Sequence, residues 1–178
     1  MSDALTRLRR LARPMAWAAT LALVLIPLFW GIGLVSGEYR LNHLEADLGI
    51  ALPDTVPTAN VIAVHASGAV AVALLLMVIW NMRRLFLLFA RGDVFGPEAA
   101  QTIRRIGMWM LATALFGVVN RTFSVLILTL ANPSGQRSLS IGFSSQDVFL
   151  MISAGLLVAI GWAMSEAARL ADENRSFV

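Results

Sequence analysis

Four long apolar runs, at about residues 15–35, 61–80, 106–131 and 148–167, constrain this chain more than any other feature. About 20 consecutive apolar residues, wound as a helix, cross a bilayer core of about 30 Å. A helix satisfies its backbone polar groups internally, as lipid demands. Composition agrees. Apolar residues make up 58% of the chain and charged residues 14%, against about 45–50% and about 25% in typical soluble domains. So little polar surface cannot cover a globule. The expected fold is all-α: one integral membrane bundle of four transmembrane helices over residues 1–178, with residues 168–178 as a tail.

The arginines orient the bundle. All 14 basic residues are arginine, which fits a GC-rich bacterial genome. With the N-terminus inside, the inner segments hold Arg7, Arg9, Arg10, Arg13, Arg83, Arg84, Arg91, Arg104, Arg105, Arg169 and Arg175, and the outer loops hold only Arg40 and Arg137. This positive-inside bias places both termini in the cytoplasm of a multi-pass inner-membrane protein. Trp17, Trp80, Trp109 and Trp162 fall near the inner ends of the spans and Trp30 near an outer end, as interfacial belts require. The first run, preceded by arginines, is longer than a signal-peptide core of about 7–15 residues. It reads as an uncleaved helix bent near Pro27. The net charge of +3 is explained by topology, so no direct nucleic-acid binding is expected.

Short connections predict antiparallel neighbours. In the longer first outer loop, Leu41, Leu44 and Leu48 share one face of a short amphipathic helix. Gly155, Ala159, Ala163 and Ala167 form a small-residue stripe on the fourth span, read as a seam within the bundle or, alternatively, as a homodimer face. His65, Ala69 and Ala73 make a shorter stripe on the second.

Chemistry-bearing residues are few. Absence of cysteine excludes thiolate nucleophiles and cysteine-ligated metals. His43 and His65 do not unite with carboxylates at metal-ligand spacing. There is no P-loop, dinucleotide fingerprint or HExxH, and Asp93 and Glu98 form no convincing acid/base pair. The reading is non-enzymatic, without catalytic, cofactor or metal residues. Arg121 is the one charge well inside a span. It costs about 2.5–3.5 kcal/mol to insert, offset by about 0.3–0.6 kcal/mol from each strongly apolar neighbour. His65, Asn120, Arg121 and Asp147 all fall toward the outer side and form a candidate polar cluster. The plainer reading is that Arg121 snorkels outward with Asp147 as its partner.

Between the second and third runs lies LFLLFARGDVFGPEAAQTIRRIG. Gly92 suits a helix C-cap, Gly96 an N-cap and Pro97 a first helical position, giving a cytoplasmic helical elbow. Val94 and Phe95 are expected to fold back on the apolar surface beside it. The helix of the fourth run should continue through Leu170, turn acidic at Asp172 and Glu173, and end apolar at Phe177 and Val178. The candidate cytoplasmic interaction surface is Arg91, Gly92, Asp93, Phe95, Glu173, Asn174 and Phe177, with the tail docking on the elbow or the two segments solvated independently.

The elbow and the tail LADENRSFV resemble the domain of unknown function 2975 family of bacterial membrane proteins. The matching positions are Phe86, Gly92, Phe95, Arg105, Ile106, Gly107, Glu173 and Asn174. The chain departs from the pattern at Gly96 to Ala100, where many members carry Thr and Asn, and at its last four residues. The resemblance implies four membrane helices, no established biochemical activity and a link to a small helix-turn-helix regulator. The leading expectation is therefore a regulatory or sensory partner in the inner membrane. The alternatives are a small transporter or channel component using His65, Asn120 and Arg121, and a structural subunit of a membrane complex.

Overall fold

The computed structural model describes residues 3–36, 56–130, 132 and 144–176. They form four helices: α1 (Asp3–Ser36), α2 (Thr58–Arg91), α3 (Pro97–Thr129) and α4 (Ser145–Ser176). Each is long and apolar enough to cross a membrane. No strand occurs among the described residues. The expected helix around Leu41, Leu44 and Leu48 lies outside them, as does Phe177.

The helices are longer than the apolar runs. At about 1.5 Å per residue, the 34 residues of α2 span about 51 Å, well beyond a core of about 30 Å. α2 runs through Arg83, Arg84 and the LFLLF segment without a break. α1 likewise continues through Pro14 and Pro27, although each proline removes a helical N–H. α4 reaches Ser176 rather than Leu170, carrying Asp172 and Glu173 on a helix.

Neighbours in sequence are neighbours in space. α1 packs on α2, α2 on α3 and α3 on α4, and no other pair of described helices packs closely. α3 is thus covered on two sides. It holds most of the buried residues, including Ala99, Ala100, Ile106, Val125 and Leu128. Large side chains elsewhere are exposed in number, among them Trp17, Phe29, Phe149 and Trp162. Lipid-facing surfaces have this character, because the bilayer is as apolar as they are.

The tightest pairing is α3 on α4. A Cβ added at Gly107 would sit 2.7 Å from the Ala154 carbonyl oxygen and 2.9 Å from the Val158 nitrogen. One added at Gly161 would sit 2.8 Å from the Arg104 nitrogen and 2.9 Å from the Ala100 oxygen. The two backbones touch at both places, which only glycine permits. This corrects the seam expected from spacing. Gly155, Ala159, Ala163 and Ala167 are all exposed, and a Cβ at Gly155 would meet nothing within 4 Å. The seam lies on the adjacent face, through Ala154, Val158 and Gly161.

Candidate functional site

The turn between α2 and α3 is built by two glycines of different use. Gly92 has φ 90°, the left-handed conformation that ends a helix. Its N–H donates to the Phe89 carbonyl (3.0 Å), and the Asp93 N–H donates to the Leu88 carbonyl (3.0 Å). These are the two bonds of a Schellman motif. Gly96 is extended, at φ −71° and ψ 160°, and Pro97 opens α3. Glu98 in the first turn complements the positive helix end. Its carboxylate accepts from Arg84 Nη2 at 2.6 Å, tying α2 to α3 beside the turn.

Arg9 completes this region, and sequence reasoning did not find it. Its guanidinium packs on Gly92 where a Cβ would otherwise project, and its Nη2 reaches the Arg91 carbonyl at 3.5 Å. A cation there complements the negative end of α2. No local motif could reveal a contact across 82 residues. A second such link joins α1 to α2: Arg83 Nε donates to Thr20 Oγ1 at 2.8 Å, with Arg83 Cζ 5.6 Å from the Trp80 ring centre.

Phe95 does not fold back as expected. It stands 75% exposed at the tip of the turn. Arg91 is also exposed, whereas Gly92, Asp93 and Val94 are half-buried. Of the tail residues, Glu173 pairs with Arg169 on its own helix (3.4 Å), and Asn174 lies within α4. Docking of Phe177 lies outside the described residues.

The residues of the expected outer cluster lie along three interfaces. Arg121 Nη1 donates to Asp147 Oδ2 at 3.2 Å, joining α3 to α4. The same oxygen accepts from the Ser144 N–H (2.8 Å) and hydroxyl (2.7 Å), while the Asp147 N–H donates to Ser144 Oγ (3.1 Å). This is a reciprocal capping box, legible as Ser-x-x-Asp. His65 shares a 2.7 Å hydrogen bond with the Val61 carbonyl and lines a groove against Trp30 and Leu34 of α1. Asn120 lines a cleft between α2 and α3. Farther along that pairing, Asn60 Nδ2 donates to the Ile127 carbonyl at 2.9 Å.

Comparison with family models, curated proteins and solved structures gives no match to the chain.

Proposed function

We propose that the chain is a non-enzymatic, multi-pass protein of a bacterial inner membrane that regulates or senses through its arginine-rich turn and its tail. The observation that carries this reading is Phe95, an aromatic ring 75% exposed on a turn fixed by a Schellman cap and Pro97. Both termini and the turn lie in the cytoplasm on this reading, as the arginine distribution requires. A large exposed ring on an ordered aqueous turn is an anchor for a protein partner. The family resemblance makes a small helix-turn-helix regulator the partner to test.

Two experiments decide it. The chain has no cysteine, so Phe95→Cys reports one site. A membrane-impermeant maleimide should label it in inverted vesicles and not in intact spheroplasts; the reverse pattern overturns the topology. Phe95→Asp should then abolish recovery of the regulator with solubilised membranes and reproduce the transcription pattern of a deletion strain. Wild-type transcription in the deletion strain itself would remove the regulatory reading.

A further inference from the structure

We infer that the flank of the α1–α2 pairing binds the phosphate of an anionic phospholipid through the guanidinium of Arg83. This does not rest on the regulatory reading, because the site lies more than two helical turns before Gly92 and uses neither Phe95 nor the tail.

Arg83 is held at one end and free at the other. Its Nε donates to Thr20 Oγ1 at 2.8 Å, and the Thr20 hydroxyl is itself oriented by donating to the Ala16 carbonyl at 2.8 Å. Cζ stands over the Trp80 ring, 5.6 Å from its centre. These contacts fix the plane of the guanidinium and use one of its five N–H donors. Among the described residues no carboxylate pairs with it, and Nη1 and Nη2 make no hydrogen bond. Unlike the enclosed Nε atoms of Arg9 and Arg104, they are not buried, so a ligand can reach them. Two parallel N–H groups on a pre-oriented fork match the oxygens of a phosphate.

The surroundings select a lipid and its charge. Trp17 lies one turn before Thr20 and Trp80 one turn before Arg83, and both rings are exposed. Exposed indoles mark the headgroup level of a bilayer, where lipid phosphates lie. Farther along α1, Leu21 and Val24 are exposed and offer an apolar track to the acyl chains. Nothing on the two helices competes for the fork: α2 contains no acidic residue, and α1 contains only Asp3. Arg13, exposed two turns before Thr20 on the same side of α1, adds a second positive charge. A net negative headgroup is therefore favoured over a zwitterionic one, whose ammonium would meet Arg13.

The test is native mass spectrometry of the full chain in neutral detergent, titrated with dioleoyl phosphatidylglycerol or dioleoyl phosphatidylcholine. The wild-type chain should retain a first phosphatidylglycerol more tightly than phosphatidylcholine. Arg83→Gln should weaken that retention about tenfold, the worth of a charge-assisted hydrogen bond. Thr20→Val removes no charge but releases the guanidinium, and should weaken it about two- to fivefold. Arg105→Gln removes the same charge from α3, which does not pack closely on α1, and should leave retention within about twofold. Equal retention of the two lipids by the wild-type chain overturns the inference, and that comparison needs no variant to fold. A loss at Arg105→Gln matching that at Arg83→Gln also overturns it, since general attraction then suffices. Soluble glycerophosphoglycerol, the same headgroup without chains, should not displace the lipid. Displacement at comparable concentrations would assign the fork to a soluble phosphate ester and overturn the lipid.

Discussion

The two pairings of α3 differ in how the helices close on one another. Toward α4, Gly107 and Gly161 each lie against the opposite backbone. Toward α2, Ala63 and Ala66 face the rings of Phe116 and Phe123 across a cleft of about 400 Å³. Polar contacts join that pair near its two ends, Asn60 to the Ile127 carbonyl at one and Arg84 to Glu98 at the other. Lipid supplies no hydrophobic drive for helix association. Glycines set against the opposite backbone therefore make a seam, whereas alanines facing phenylalanine rings leave a gap between the helices.

The largest effect should come from breaking the seam. Gly107→Leu or Gly161→Leu drives a side chain into backbone that cannot swing away, at about 1–3 kcal/mol or more. Gly155→Leu enters open space and should stay within about 0.5 kcal/mol. Denaturant titration in mixed micelles measures all three. Equal costs at Gly155 and Gly107 would refute the assigned seam. A cost at Gly155 that grows with protein concentration would instead reveal a second copy on the outer stripe.

The difference between those glycines also marks how far the sequence could be read. Four helices follow from run length alone, and the ends of α2 and α3 follow from Gly92 and from Gly96-Pro97, because backbone conformation there is dictated locally. The face of α4 that packs on α3 does not follow. Spacing of four made 155, 159, 163 and 167 look like the seam, while Ala154, Val158 and Gly161 follow a three-and-four spacing that crosses a branched residue. In an apolar helix neither stripe is distinguished by polarity, so only the partner helix decides. Of the expected outer cluster, the pairing of Arg121 with Asp147 was legible and is present at 3.2 Å, whereas its grouping with His65 and Asn120 was not. The height of His65, Asn120 and Arg121 follows from position along a span, but the interface each side chain faces depends on helix rotation. Arg9 on Gly92 and Arg83 on Thr20 required the fold itself.

The turn tests whether end contacts can hold the looser pair. Gly92→Ala imposes φ 90° on a residue with a Cβ, at about 1–2 kcal/mol. The clash with the Arg9 guanidinium adds little, since a flexible side chain can retreat. The same micelle titration should show a loss smaller than at Gly107, and Arg9→Ala should not rescue it. Full rescue would mean that crowding, not backbone conformation, sets the cost.

The Arg121–Asp147 pair should be asymmetric, although it joins the tight pairing. Asp147→Ala removes the carboxylate that Arg121 contacts and that accepts from the Ser144 N–H and hydroxyl, while the 147 N–H can still donate to Ser144 Oγ; the lost half of the capping box is worth about 0.5–1.5 kcal/mol per hydrogen bond. Arg121→Leu leaves the cap intact and removes a charge from the span, so its cost should be below about 1 kcal/mol. Equal losses in the two variants would assign the energy to the ion pair and make it a true clamp on α3 and α4.

The smallest effect belongs to Arg84 and Glu98, and it bears most directly on the contrast between the pairings. Their side chains are 45% and 47% exposed, so solvent screens an attraction whose 2.6 Å geometry looks strong. A double-mutant cycle with Arg84→Gln and Glu98→Gln should give a coupling of about 0.2–1 kcal/mol, declining as salt shortens the screening length. Each single variant should also leave the turn intact, because Gly92 and Pro97 fix the backbone without the ion pair. A coupling well above that range, insensitive to salt, would mean that the bridge rather than the turn sets the approach of α2 to α3.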